Sequence, residues 1–170
     1  MKSAFMRLEA GLGWVMRTVT VASLTGLFVA VGFVVANRTI GVRSTGWTDE
    51  LIELLFAWLI FAGAASLWRE RGHFAVDLAV QVMPEGMAKQ AVKTLAEGLC
   101  LVFLWVFFYQ SLVFIANATD DSPVFAISKV YWYGVMPIAA AIMMGYSIVR
   151  FVRLLLSLFR GKPAHARSAA

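Results

Sequence analysis

The sequence predicts an all-α integral membrane protein: four transmembrane helices, with an interfacial amphipathic segment in the second loop. Three observations carry that prediction. Of the 170 residues, 61% are A, V, I, L, M, F, W, Y or C and only 15% are charged, against roughly 45–50% and about 25% in soluble domains. The mean hydropathy is +0.77. The charges fall between four long apolar runs rather than along one face. A soluble globule of this length cannot hide so much apolar surface in one core, so a soluble enzyme domain is excluded.

The first run, Val19 to Ala36, has no charge across 18 residues. At about 1.5 Å per residue it is about 27 Å long, near the roughly 30 Å hydrocarbon core of a bilayer. It predicts a helix over about 14–36. MKSAFMR ahead of it resembles the basic region of a signal peptide, but the run exceeds the usual h-region of about 7–15 residues and no convincing small-x-small site precedes a soluble mature chain. It is read as a retained helix. The second run, Leu51 to Trp68, carries Glu53 near its start and predicts a helix over about 50–68. The second loop includes the apolar stretch Phe74 to Met83, interrupted by Asp77 and Gln81 and ended by Pro84. From Glu85 a new helix starts, with Pro84 suited to its first turn. Lys89, Lys93 and Glu97 share a face there, which suits a helix at, or entering from, the membrane surface. It continues into the third run, Leu95 to Ala116, giving a helix over about 87–116. The fourth run opens at Tyr131 and reads on through FVRLLLSLF, giving 131–158. Residues 1–160 are expected to form a single membrane domain, and 161–170 a disordered cytoplasmic tail. No internal repeat is visible.

Orientation follows from the basic residues. With both termini inside, the cytoplasmic segments hold twelve Lys and Arg and the outer loops three; the positive-inside rule then places both ends in the cytoplasm. Aromatic residues gather at the expected boundaries: Trp47, Tyr131, Trp132 and Tyr133 outside, Trp14 and Trp68 inside. That is the interfacial belt of amphipathic rings.

The catalytic vocabulary is thin. The single cysteine, Cys100, excludes an intramolecular disulfide framework and a Cys-rich zinc site. The only histidines, His73 and His165, lie in a loop and in the tail, so no paired haem ligands stand on spanning helices. GxSxG, GxxxxGK[ST] and HExxH are absent. The chain is read as no enzyme, without cofactor or metal ligands of its own. Intramembrane acids usually mark ion pathways. Glu53, however, lies a turn past Asp49 and Glu50 at a helix start, where the dipole favours an acid, and Glu97 has Lys93 one turn before it. The helix middles carry no charge. That suits a scaffold; a self-sufficient homodimeric exporter working through Glu53 or Glu97 is the rival reading.

Small residues recur at helical spacing: Ala22, Gly26 and Ala30 in the first helix, Gly63 among the small residues of the second, Ala141 and Gly145 in the fourth. Such stripes let helices approach closely in lipid, within this bundle or against another subunit. The densest polar cluster is Arg69-Glu70-Arg71-Gly72-His73, with Asp77 a turn beyond His73. A topology anchor accounts for Arg69, Arg71 and Gly72 but not for the acid and the histidine.

The order of these residues resembles a family. Trp47-x-Asp49-Glu50, followed by FAWLIFAGAASLWRERGHFAVDLAVQVMP from Phe56 to Pro84, is similar to the DctQ-like small permease of tripartite ATP-independent periplasmic (TRAP) transporters. The matching positions include Trp58, Phe61, Gly63, Ala64, Ala65, Arg69, Arg71, His73, Val76, Asp77 and Pro84; Trp132 and Pro137 resemble the family's fourth-helix entry. Ala62 stands where Leu is frequent, and Ile127-Ser128 where Ile-Pro is frequent. The resemblance implies a subunit that packs against a large permease, which holds the Na+ and substrate sites, while a periplasmic binding protein delivers a small organic acid such as a C4-dicarboxylate or sialic acid. On that basis Trp47, Asp49, Glu50, Arg69, Arg71, Gly72, His73 and Asp77 are candidate contacts to the large permease or the binding protein.

Overall fold

A computed structural model describes residues 2–41, 46–70, 86–118 and 120–159, with side chains between positions 9 and 158. Its elements are helices α1 (Lys2–Thr39), α2 (Gly46–Arg69), α3 (Met87–Asn117), the single turn α4 (Val130–Tyr133) and α5 (Val135–Phe159). Four stretches are long and apolar enough to cross a membrane: Glu9–Thr39, Gly46–Arg69, Met87–Asn117 and Val130–Leu158. The first and third have 31 residues each, about 46 Å of helix at 1.5 Å per residue. That exceeds the apolar core of a bilayer, so these helices tilt or project beyond it. Among the described residues the extended pairing is confined to an isolated bridge between Asp121 and Ser128.

The helix boundaries follow local chemistry. At the end of α1, Gly41 takes φ 76° and its N–H reaches the Arg38 carbonyl at 3.3 Å; a glycine adopts this left-handed position without the Cβ clash other residues meet. Met87 starts α3, and Gln90 N–H returns to the Gly86 carbonyl at 3.3 Å. Gly134 separates α4 from α5, and a Cβ there would stand 2.9 Å from the Val130 carbonyl oxygen. Pro137 lies in the first turn of α5, where its missing N–H has no intrahelical acceptor to lose.

The helices pack side by side, in the order α1–α2–α5–α3. Helices α1 and α2 run antiparallel: Phe33 meets Trp47 (ring centroids 5.7 Å apart), Gly26 lies under Leu55, Gly63 lies beside Thr20, and Gly13 lies beneath Arg69. The buried positions of α1 include Met16, Ser23 and Ala30, seven residues apart. That is a narrow seam facing one neighbour. The flanks of α1 are open, with Phe28 81% exposed. Helices α3 and α5 form the second antiparallel pair, through Gln90 with Ser157 and Gly98 with Phe151, while Phe114 meets Tyr133 of α4 edge-on at 4.8 Å. Helix α2 joins the two pairs. Met16, Ala65, Leu104, Ala139 and Met143 form the core, and Phe61 of α2 stacks on Phe107 of α3 at 6.0 Å.

Candidate partner-facing site

The candidate site divides between the two ends of α2. At its first turns, Thr48 is buried and Asp49 and Glu53 are exposed. Glu50 is neither free nor surface-facing. Its carboxylate accepts the Ser122 hydroxyl and, at 3.2 Å, the Val124 N–H, while its backbone carbonyl accepts the Trp132 indole N–H at 3.1 Å. Ser122 spreads this hold through the loop: its Oγ accepts Phe125 N–H at 2.9 Å, its carbonyl accepts Ala126 N–H at 2.9 Å, and its N–H donates to Ile127 at 2.8 Å. Ala126 takes the left-handed φ of 51° that lets the loop turn back. Trp58 completes this end, donating to the Tyr131 carbonyl at 3.2 Å.

This end departs from the sequence expectation for Trp132. The ring expected in the interfacial belt is buried, and its N–H is satisfied by the first turn of α2. A buried indole requires such a partner. Tyr131 stays exposed, and Trp47 is partly exposed against Phe33.

At the other end, Trp68 Nε1 donates to Ser147 Oγ at 2.8 Å, and Arg150 Nη2 donates to the Trp68 carbonyl. That carbonyl lies at the C-terminal end of α2, whose negative pole the guanidinium also suits. Trp68 therefore does more than belong to an aromatic belt. Arg69 lies over Gly13 with its Nε buried and unpartnered. Glu97 Oε1 is likewise buried without a hydrogen-bond partner, so that oxygen does not make the bond expected from Lys93. Glu97 and Arg150 are both within electrostatic reach of Cys100. Arg71, Gly72, His73 and Asp77 lie outside the described residues.

The small-residue positions separate into two groups. Gly26, Ala30 and Gly63 lie in the α1–α2 seam. Ala22 and Ala141 are exposed, and a Cβ on Gly145 would meet nothing within 4 Å. The sequence reading did not single out Gly13, Ser122, Ser147 or Arg150 as site residues. Ser147 carried one available signal, a hydroxyl inside an apolar helix. Among the described residues no group of three or more His, Cys, Asp and Glu side chains is placed to hold a metal ion.

Comparison with known proteins agrees with this architecture. The family described as tripartite ATP-independent periplasmic transporters, DctQ component, matches residues 27–157. That range takes in the last third of α1, all of α2, α3 and α4, and nearly all of α5. No curated protein matches the chain.

Proposed function

The chain belongs to the DctQ component family of tripartite ATP-independent periplasmic transporters, and from that membership we propose that it scaffolds a large permease subunit for sodium-coupled uptake of a small organic acid. It is a multi-pass membrane protein and a small permease subunit of the TRAP type. In the proposed arrangement both termini are cytoplasmic, the membrane is the bacterial inner membrane, and a periplasmic binding protein delivers the substrate, a carboxylate such as a C4-dicarboxylate or sialic acid. Na+ binds in the large subunit. This chain performs no catalysis and binds no cofactor.

One observation carries the scaffold role. The helices stand in an open row whose marginal members, α1 and α3, turn broad apolar flanks outward, and α1 holds to its neighbour through one narrow seam. A row of this kind does not surround a polar path. Its polar side chains at the ends of α2 are used in joining helices, as with Glu50, Trp68 and Arg150.

The test is reconstitution. Proteoliposomes holding this chain alone are expected to show no substrate flux, and the large permease with this chain and the binding protein to show uptake that requires a sodium gradient. Glu53→Gln and Glu97→Gln are expected to leave the sodium-to-substrate ratio unchanged. Flux through this chain alone, or a changed ratio in either variant, overturns the scaffold reading.

A further inference from the structure

We propose that the loop spanning residues 121–128 is a preformed docking knob for a soluble protein that offers an apolar cleft with a basic rim. The inference rests on the orientation proposed above, which puts this loop on the periplasmic side.

The first observation is apolar surface where the bundle has no use for it. Val124, Phe125 and Ile127 are 49%, 40% and 45% exposed, on consecutive turns of a loop rather than on a helix flank. The second is that the loop is built. The Glu50 carboxylate, the Ser122 hydroxyl and four backbone N–H groups fix it, and Ser122 itself is buried. An ordered loop loses little conformational entropy when a partner closes on it. The third is position. Val124 Cγ2 would stand 3.3 Å from a Cβ on Gly46, the first residue of α2, so the knob covers a helix end and does not lie along a lipid-facing side.

Charge decides the occupant. Asp120 and Asp121 at the root of the knob, and Asp49 beside the Glu50 that bonds it, are exposed, and Lys129, whose N–H donates to the Asp120 carbonyl, is half-buried. Carboxylates set about apolar side chains disfavour immersion in lipid. They also repel the same acidic rim on a second copy of this chain, whereas a basic rim gains from them and is steered toward them. An apolar centre inside a charged rim is the usual anatomy of a protein–protein contact.

The experiment uses the assembled permease in nanodiscs, with the purified binding protein of the same transporter as probe. Val124→Ser and Phe125→Ser are expected to raise the Kd at least tenfold while recovery of the large subunit stays at wild-type level. Asp120→Asn with Asp121→Asn, which leaves the apolar centre intact, is expected to slow association and reduce its dependence on salt. Unchanged Kd and association rate across these variants overturn the proposal, as does quenching of Phe125→Trp fluorescence by brominated acyl chains, which would place the knob in lipid. Phe125→Cys in a Cys100→Ser background distinguishes the two readings. Labelling by an impermeant maleimide from outside, with unchanged Kd, sinks the docking knob alone; labelling only from the cytoplasmic side sinks the orientation beneath it.

Discussion

Trp68 and Ser147 are linked at 2.8 Å between α2 and α5, and Arg150, one turn beyond Ser147, returns a bond to the Trp68 carbonyl. Two bonds in opposite senses staple the helices at one level. Ser147 is fully buried in the bundle, so its hydroxyl has no water to fall back on. Trp68→Phe and Ser147→Ala are each expected to destabilise the protein, and the double variant to lose less than their sum. Hydrogen bonds between membrane helices couple by about 0.6 kcal/mol on average and about 1.7 at most. Unfolding of the four proteins in mixed micelles measures the coupling; strict additivity would show that the bond contributes nothing.

Glu50 is expected to govern the order of the distant loop. Glu50→Ala removes the acceptor of the Ser122 hydroxyl and the Val124 N–H together, at an expected cost of about 1–3 kcal/mol for a donor left unsatisfied. Glu50→Gln keeps an oxygen for one of them and is expected to cost less. Faster amide exchange at Val124 and Phe125 in Glu50→Ala, with exchange in α3 unchanged, is the measurement.

Ala126 occupies backbone space that a side chain enters at a cost. With φ at 51°, its left-handed conformation costs roughly 1–2 kcal/mol relative to glycine. Ala126→Gly is therefore expected to leave the thermal midpoint equal or higher, the flexibility of unfolded glycine offsetting part of the gain. Ala126→Val is expected to lower it clearly, because a β-branched side chain suits this conformation least.

The glycines divide into seam and margin. A Cβ on Gly26 would stand 3.2 Å from Leu55, and one on Gly13 would overlap the Arg69 guanidinium. Gly26→Val is expected to destabilise by about 1–3 kcal/mol through overpacking. Gly13→Ala is expected to cost less, since the long Arg69 side chain can move aside. Gly145→Ala meets open space and is expected to leave the isolated chain as stable or slightly more so, helix propensity favouring alanine by up to about 1 kcal/mol. Melting curves of the purified chain rank the three.

Run lengths and charge placement announced the spanning helices because both are local properties of the chain. Of the Ala22-Gly26-Ala30 stripe, Gly26 and Ala30 lie in the α1 seam and Ala22 is exposed. Spacing says which residues share a face, however, and not what that face meets: Ala30 lies inside the seam, while Ala141 and Gly145 look outward. The site was less legible for the same reason. Glu50 finds Ser122 across 72 positions and Trp132 across 82, distances over which no periodicity speaks. Trp132 reads as a belt aromatic from its boundary position, and only the approach of α2 turns it inward. Glu97 shows the converse: the i, i+4 rule offers Lys93 as a partner, yet one carboxylate oxygen faces the bundle alone.

The order of helices in space differs from their order along the chain, and this bears on how the protein is made. Helix α2 follows its partner α1 directly, so the first two helices can pair as soon as both are in the bilayer. Helix α3 enters next, and its main contacts are with α5, which is synthesised after it. Until α5 arrives, Gln90 lacks Ser157, and the Trp68 carbonyl lacks Arg150. The 25-residue α5 is thus the piece that ties α3 firmly to the α1–α2 hairpin. Premature termination anywhere before Val135 leaves α3 unclaimed in the membrane, in the state that quality-control proteases remove.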